Sequence, residues 1–88
     1  MPFRSAADPQ FKRRLEAKSP EDQAAILGCI RQILDDPRHS GLRSKKLKGS
    51  GAWYSRASRS RRVTWEYGGQ GTIVFRNHCD HDDVLRSP

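Results

Sequence analysis

Four residues, Gly68-Gly69-Gln70-Gly71, limit what this chain can fold into more than any others. They separate two alternating segments. Before them, Val63, Trp65 and Tyr67 alternate with Arg62, Thr64 and Glu66; after them, Ile73 and Phe75 alternate with Val74 and Arg76. Alternation with period two is the mark of a strand with one buried face. A short glycine-rich break between two such strands reads as a hairpin. A further alternating run lies just upstream: Trp53, Ser55 and Ala57 against Tyr54, Arg56 and Ser58, followed by a turn at Arg59-Ser60. The stretch from Ala52 to Leu85 is thus an antiparallel meander of three short strands. If Val63 and Trp65 face a core, Arg62 and Thr64 face the other way.

The core must come from the first half of the chain. Asp8-Pro9 and Ser19-Pro20 each pair a capping residue with a proline suited to the first helical position. The spacing predicts one helix from Pro9 to about Lys18, with Phe11 and Leu15 as its buried stripe. It predicts a second from Pro20 to about Asp35, where Ala24, Ile26, Leu27, Ile30, Ile33 and Leu34 recur at helical period. Glu21 and Asp22 in the first turn suit the helix dipole, and Pro37 ends the element. Met1 to Ala7 reads either as an edge strand or as a frayed end. The expected fold is α+β: one domain over residues 1–88, in the order β-α-α-β-β-β. A helical hairpin packs on one face of a three- to four-stranded antiparallel sheet and leaves the other face open.

Charge is unevenly spread. Seventeen Lys and Arg against ten Asp and Glu give a net +7. Arg43, Lys45, Lys46 and Lys48 crowd the loop just ahead of the meander, where Leu42 and Leu47 are the only anchors. That balance suits an anionic partner such as nucleic acid. No apolar run approaches the roughly 20 residues that span a bilayer, and the first residues lack a signal-peptide core, so the expected location is the cytoplasm. Cys29 and Cys79 make no disulfide framework; Cys29 falls on an apolar helix face and reads as a core residue.

Three segments resemble, in order, the motifs of the RelE/ParE toxin superfamily. Leu47-Lys48-Gly49-Ser50-Gly51-Ala52-Trp53-Tyr54-Ser55-Arg56 is similar to the approach to that family's first meander strand. Arg62-Val63-Thr64-Trp65-Glu66-Tyr67 looks like its second motif, an arginine opening an apolar strand. His78-Cys79-Asp80-His81-Asp82-Asp83-Val84-Leu85 looks like its C-terminal histidine-acidic motif. The resemblance implies a toxin of a toxin-antitoxin pair. Many relatives are ribosome-dependent endoribonucleases that cut mRNA through the ribose 2′-hydroxyl, without metal or other cofactor, and inhibit translation. A cognate antitoxin blocks the basic face, giving a toxin-antitoxin hetero-oligomer. ParE-type relatives inhibit DNA gyrase instead. The chain departs from the nuclease pattern: the loop before the first meander strand has no carboxylate, Ser55 and Ala57 offer none of the lysines that other relatives carry along that strand, and Leu85 stands where many relatives carry a tyrosine.

Cleaving RNA through its own 2′-hydroxyl needs a base, cations for the phosphorane charge and an acid for the leaving oxygen. Arg62 is the first candidate for phosphate, because guanidinium pairs with it in two-pronged fashion; the plain alternative is a solvated strand arginine. Arg56 on the neighbouring strand is the second. His81 is the candidate proton carrier, with His78 in reserve, since histidine alone titrates near neutrality unaided; either could simply cap the strand end. Lys45, Lys46, Lys48 and Arg61 are candidates for holding RNA backbone, and Tyr54 for stacking on a base. Trp53 reads as core. A metal site in the His78 to Asp83 run is disfavoured, because neighbours on a strand point to opposite faces. Two other functions remain open: a gyrase-directed poison, and a basic RNA-binding module without toxicity.

Overall fold

The computed structural model describes residues 3–47 and 49–80, the side chains of residues 79 and 80 excepted. Strand β1 (Arg4–Ala7) leads into helix α1 (Pro9–Glu16) and helix α2 (Pro20–Asp35). A single 3-10 turn follows at Ser40–Leu42. Then come β2 (Lys45–Lys46), β3 (Trp53–Arg56), β4 (Arg61–Gly69) and β5 (Thr72–Asp80). The strands form one sheet in the order β1-β5-β4-β3-β2.

Both helices start where the capping signals fall. Asp8 accepts a hydrogen bond from the Phe11 amide at 2.9 Å, and Ser19 accepts one from the Asp22 amide at 3.2 Å. Such caps satisfy amides that the first helical turn leaves unpaired. The link between the helices is held from α2: Gln23 Nε2 donates to the carbonyls of Glu16 and Lys18. That hydrogen bonding serves the unpaired end of α1 and fixes the helical hairpin.

The hairpin covers one face of the sheet. Phe11, Ile26, Cys29, Ile33, Leu34 and Leu42 meet Val63, Trp65, Ile73 and Phe75 in a single buried cluster. Leu27, expected in the apolar stripe, is 39% exposed, so the buried arc of α2 is narrower than its sequence. The β4–β5 hairpin turns at Gln70 and Gly71, with φ of 51° and 73°. Two consecutive positive φ values match the twist of a tight hairpin, and glycine takes such a conformation without strain.

The sheet has five strands rather than three or four, and it is mixed rather than antiparallel. β1 pairs β5 in parallel, from Arg4 opposite Thr72 to Ala7 opposite Phe75. The meander leaves an edge of β5 unpaired, and β1, which precedes the helical hairpin, fills it in the parallel direction. β2 pairs β3 through Lys45 opposite Tyr54 and Lys46 opposite Trp53. A two-residue strand of lysines carries no periodicity, so it is formed by its tertiary partner.

One irregularity changes which residues face the core. Trp65 pairs with Phe75, but Thr64 pairs with Asn77, so Arg76 is an extra residue in β5. Such a bulge resets the alternation beyond it. Phe75 and His78 therefore both point toward the helices.

Candidate functional site: a basic cleft on the open face

The face away from the helices is built by the register of β2, β3 and β4. Lys45, Tyr54 and Thr64 line up across the sheet, and Arg56 stands opposite Arg62 in the next row. The Ala57 amide donates to the Arg61 carbonyl at 3.0 Å. That makes Ala57 and Arg61 a hydrogen-bonded pair, so Arg56 and Arg62 form the next, non-hydrogen-bonded pair, in which opposing side chains approach more closely. Like charges placed this way oppose folding. Lys45, Tyr54, Arg56 and Arg62, joined by Arg43, line one cleft of about 150 Å³. Four of its five lining residues are cations, and none is a carboxylate.

Local structure holds two of these cations in place. Arg62 Nη1 donates to the carbonyls of Ser58 at 2.8 Å and Arg61 at 3.0 Å, so the β3–β4 turn grips the guanidinium. Arg43 ends the 3-10 turn with φ of 48°, in the left-handed region that a non-glycine residue seldom adopts. Strain of this kind persists only where surrounding contacts hold it. Among those contacts is the next residue: Ser44 Oγ lies 2.6 Å from Ser55 Oγ, which in turn accepts from Trp65 Nε1 at 2.8 Å. The buried side of β3 thus anchors the segment that presents Arg43 and Lys45 on the open side.

Four of the residues singled out in the sequence come together here: Arg56, Arg62, Tyr54 and Lys45. Others do not. Lys46 pairs with Trp53 and, by register, lies on the opposite face from Lys45. Arg61 pairs with Asp22 of α2 at 3.3 Å, on the helix side. His78 is 3% exposed. Its ring packs edge-on against Phe11 at 4.7 Å, and Nε2 lies 3.2 Å from the Phe11 carbonyl oxygen. Burial first, and then the charges of Lys18, Arg14 and Arg61, hold its pKa below the ordinary imidazole value, despite the opposing effect of the Phe11 hydrogen bond. The reserve proton carrier therefore sits in the core, because the bulge at Arg76 turns it there. Lys48 and His81 lie outside the described residues, as do the side chains of Cys79 and Asp80 and all of residues 82 and 83, on which a metal site would draw.

Sequence reasoning did not single out Arg43 for the site. Its charge was visible in the basic loop, but its left-handed backbone and its place in the cleft have no sequence signal. Glu66 was also passed over. It lies farther along the same face of β4, 3.6 Å from Arg76, beside a second depression that includes Asp8, Arg14 and Asn77. Arg14 of α1 hydrogen-bonds the Asn77 side chain there.

The fold, a helical hairpin on one face of a five-stranded sheet, is similar to that of solved RelE/ParE-type toxins. Several solved structures share it. A YoeB/ParE toxin from Agrobacterium tumefaciens superposes with a TM-score of 0.75 at 16% identity, over 90% of this chain and 99% of that one. The archaeal RelE of the RelE–RelB complex from Pyrococcus horikoshii gives 0.70 at 21% identity, over 91% and 96%. YafQ from E. coli gives 0.73 at 9% identity, over 94% and 98%. No protein-family model matches the sequence, and no curated protein matches it. At these identities the likeness establishes the fold.

Proposed function

We propose that this chain is the toxin of a toxin-antitoxin pair and acts as a ribosome-dependent endoribonuclease on mRNA. The observation that carries the reading is the cleft of Arg43, Lys45, Tyr54, Arg56 and Arg62, in which four cations converge without a carboxylate. An anion that bridges Arg56 and Arg62 would relieve their repulsion, and a phosphodiester fits both guanidinium groups in two-pronged geometry. In this reading Arg62 and Arg56 neutralise the charge that builds on phosphorus as the ribose 2′-hydroxyl attacks. Arg43 and Lys45 hold the flanking backbone, and Tyr54 stacks on a base. His81 is the proposed proton carrier. The chemistry needs no metal or other cofactor.

The partner follows from charge and from the neighbours. Solved relatives of this fold include toxins in complex with RelB, DinJ and YefM antitoxins. For this chain we infer a cognate antitoxin with an acidic, amphipathic segment that lies across the basic face and offsets part of the +7. The work of such a pair would be cytoplasmic.

Mapping 5′ ends of transcripts after induction tests the assignment. New ends within translated regions, lost in an Arg62→Ala variant that still folds, are the expected result. Intact transcripts with stalled DNA replication would instead favour a gyrase-directed poison. Normal growth with salt-sensitive RNA binding would favour a non-toxic RNA-binding module.

A further inference from the structure

The helix-side face of the sheet is not wholly covered. Beyond the end of α2, residues 37–44 turn back past the sheet and leave a cleft of about 490 Å³. Rings form much of its wall. Trp53 stacks on Trp65, centroids 5.9 Å apart and planes 14° from parallel, and Tyr67 meets Trp65 edge-on at 5.1 Å. Tyr67 is 48% exposed although it belongs to the core-facing side of β4. The rest of the wall carries Arg38, His39 and Arg43. His39 Nδ1 accepts from the Gly41 amide at 3.0 Å, which fixes the neutral ring as the Nε2–H tautomer and makes Nε2 a donor.

Arg43 lines this cleft and the basic cleft alike, so the two meet at one residue around the β2 edge of the sheet. We propose that the cleft of Trp53, Trp65 and Tyr67 is a second nucleotide subsite. It takes one unpaired base of a single-stranded nucleic acid whose phosphates run past Arg43 from the Arg56 and Arg62 cleft. A flat base matches the exposed ring of Tyr67 and the half-buried Trp53, with buried Trp65 as the floor beneath them, and the adjoining phosphate matches Arg38 and Arg43 at the rim. The volume falls within the range of small-ligand sites, roughly 300–1,000 Å³. An acidic protein segment would also meet the cations. The observations favour a nucleotide, because planar faces and a guanidinium shared with the phosphate cleft match a base and its backbone together. The inference takes the direction of the strand from the proposed function, but its own site is separate.

The test uses labelled all-deoxy oligonucleotides, which lack the 2′-hydroxyl and so survive the proposed chemistry. Binding of a dinucleotide and of a strand of about eight nucleotides is followed by fluorescence anisotropy at one fixed salt concentration. Tyr67→Ala should weaken the longer strand by roughly tenfold and leave the dinucleotide unchanged, while Tyr67→Phe restores the binding. A combined Arg38→Ala and His39→Ala variant should act in the same direction. Circular dichroism confirms that each variant is folded. Longer-strand affinity within twofold of the parent in both Tyr67→Ala and the combined variant overturns the subsite. So does competition by polyglutamate that depends on Tyr67 while the oligonucleotide does not. Arg62→Ala separates the two claims. If it spares all binding while Tyr67→Ala weakens the longer strand, the open-face assignment falls and this subsite stands.

Discussion

The hydroxyls of Ser44 and Ser55 lie 2.6 Å apart on the buried side of the sheet, and Ser55 also accepts from the Trp65 indole at 2.8 Å. This short chain ties the core to the segment that carries Arg43 and Lys45. Ser55→Ala leaves the indole N–H of Trp65, itself 1% exposed, without its acceptor. An unsatisfied buried donor costs about 1–3 kcal/mol. The expected outcome is a urea midpoint lowered accordingly, together with weaker oligonucleotide binding. Ser44→Ala keeps the indole bond, so it should lose less stability and a similar share of affinity. Equal stability losses in the two variants would show that the indole bond carries no special weight.

Arg56 and Arg62 should trade stability for binding. The Arg62 guanidinium is hydrogen-bonded to turn carbonyls. Among the described residues, the Arg56 side chain has no hydrogen bond or ion pair. Replacing it removes a like-charge contact and breaks nothing. Arg56→Gln is therefore expected to hold or raise stability, by about 0.2–1 kcal/mol, while RNA affinity falls and its salt dependence loses roughly one unit of slope. Thermal melts and binding at a series of salt concentrations check both halves. A variant that is both less stable and as tight in binding would contradict the assignment.

Much of this arrangement was legible in the chain, for local reasons. Asp8-Pro9, Ser19-Pro20 and Gly68 to Gly71 act within a few residues, so caps, helices and hairpin were readable. That Arg56 and Arg62 lie on neighbouring strands was readable, but a two-residue turn at Arg59-Ser60 would have set Ala57 opposite Arg62; the longer turn sets Arg56 there. What stayed hidden depends on distant partners. β1 is exposed along its length, so no hydrophobic pattern marks it; it exists because β5 offers an edge. Lys45 and Lys46 read as loop because two residues have no period. The bulge at Arg76 had no glycine to announce it, and it turns His78 into the core. Arg43 entered the site through a left-handed backbone that nothing in its neighbours encodes.

Cys29 offers a probe of the core rather than of the site. It is 5% exposed, and burial pushes its thiol up to about 12, against a smaller opposing effect of the Arg62 charge. A buried thiol with so little thiolate should be inert to alkylation in the folded state. In a Cys79→Ser background, Cys29 is expected to react with iodoacetamide only as fast as the protein opens, with the rate rising steeply across the urea transition. Rapid modification in the absence of denaturant would show that α2 separates readily from the sheet.

His78 makes the attachment of α1 to β5 sensitive to acid. The Phe11 carbonyl can only accept, so Nε2 carries the ring proton, and Nδ1 is a buried acceptor with no donor among the described residues. Protonating Nδ1 would put a cation into a desolvated position near Lys18, Arg14 and Arg61, and the pKa is accordingly lowered from 6.5. The unfolded chain, with the ordinary value, binds that proton more readily. Falling pH therefore favours unfolding: the contribution is fully present above 6.5 and is lost as pH drops from there toward the lowered folded value. Urea midpoints should decline between about pH 7.5 and pH 5.5. His78→Phe keeps a ring against Phe11 but cannot take up the proton, so its midpoint should change much less over that interval. An equal decline in the variant would move the acid sensitivity to other groups and leave His78 a packing residue alone.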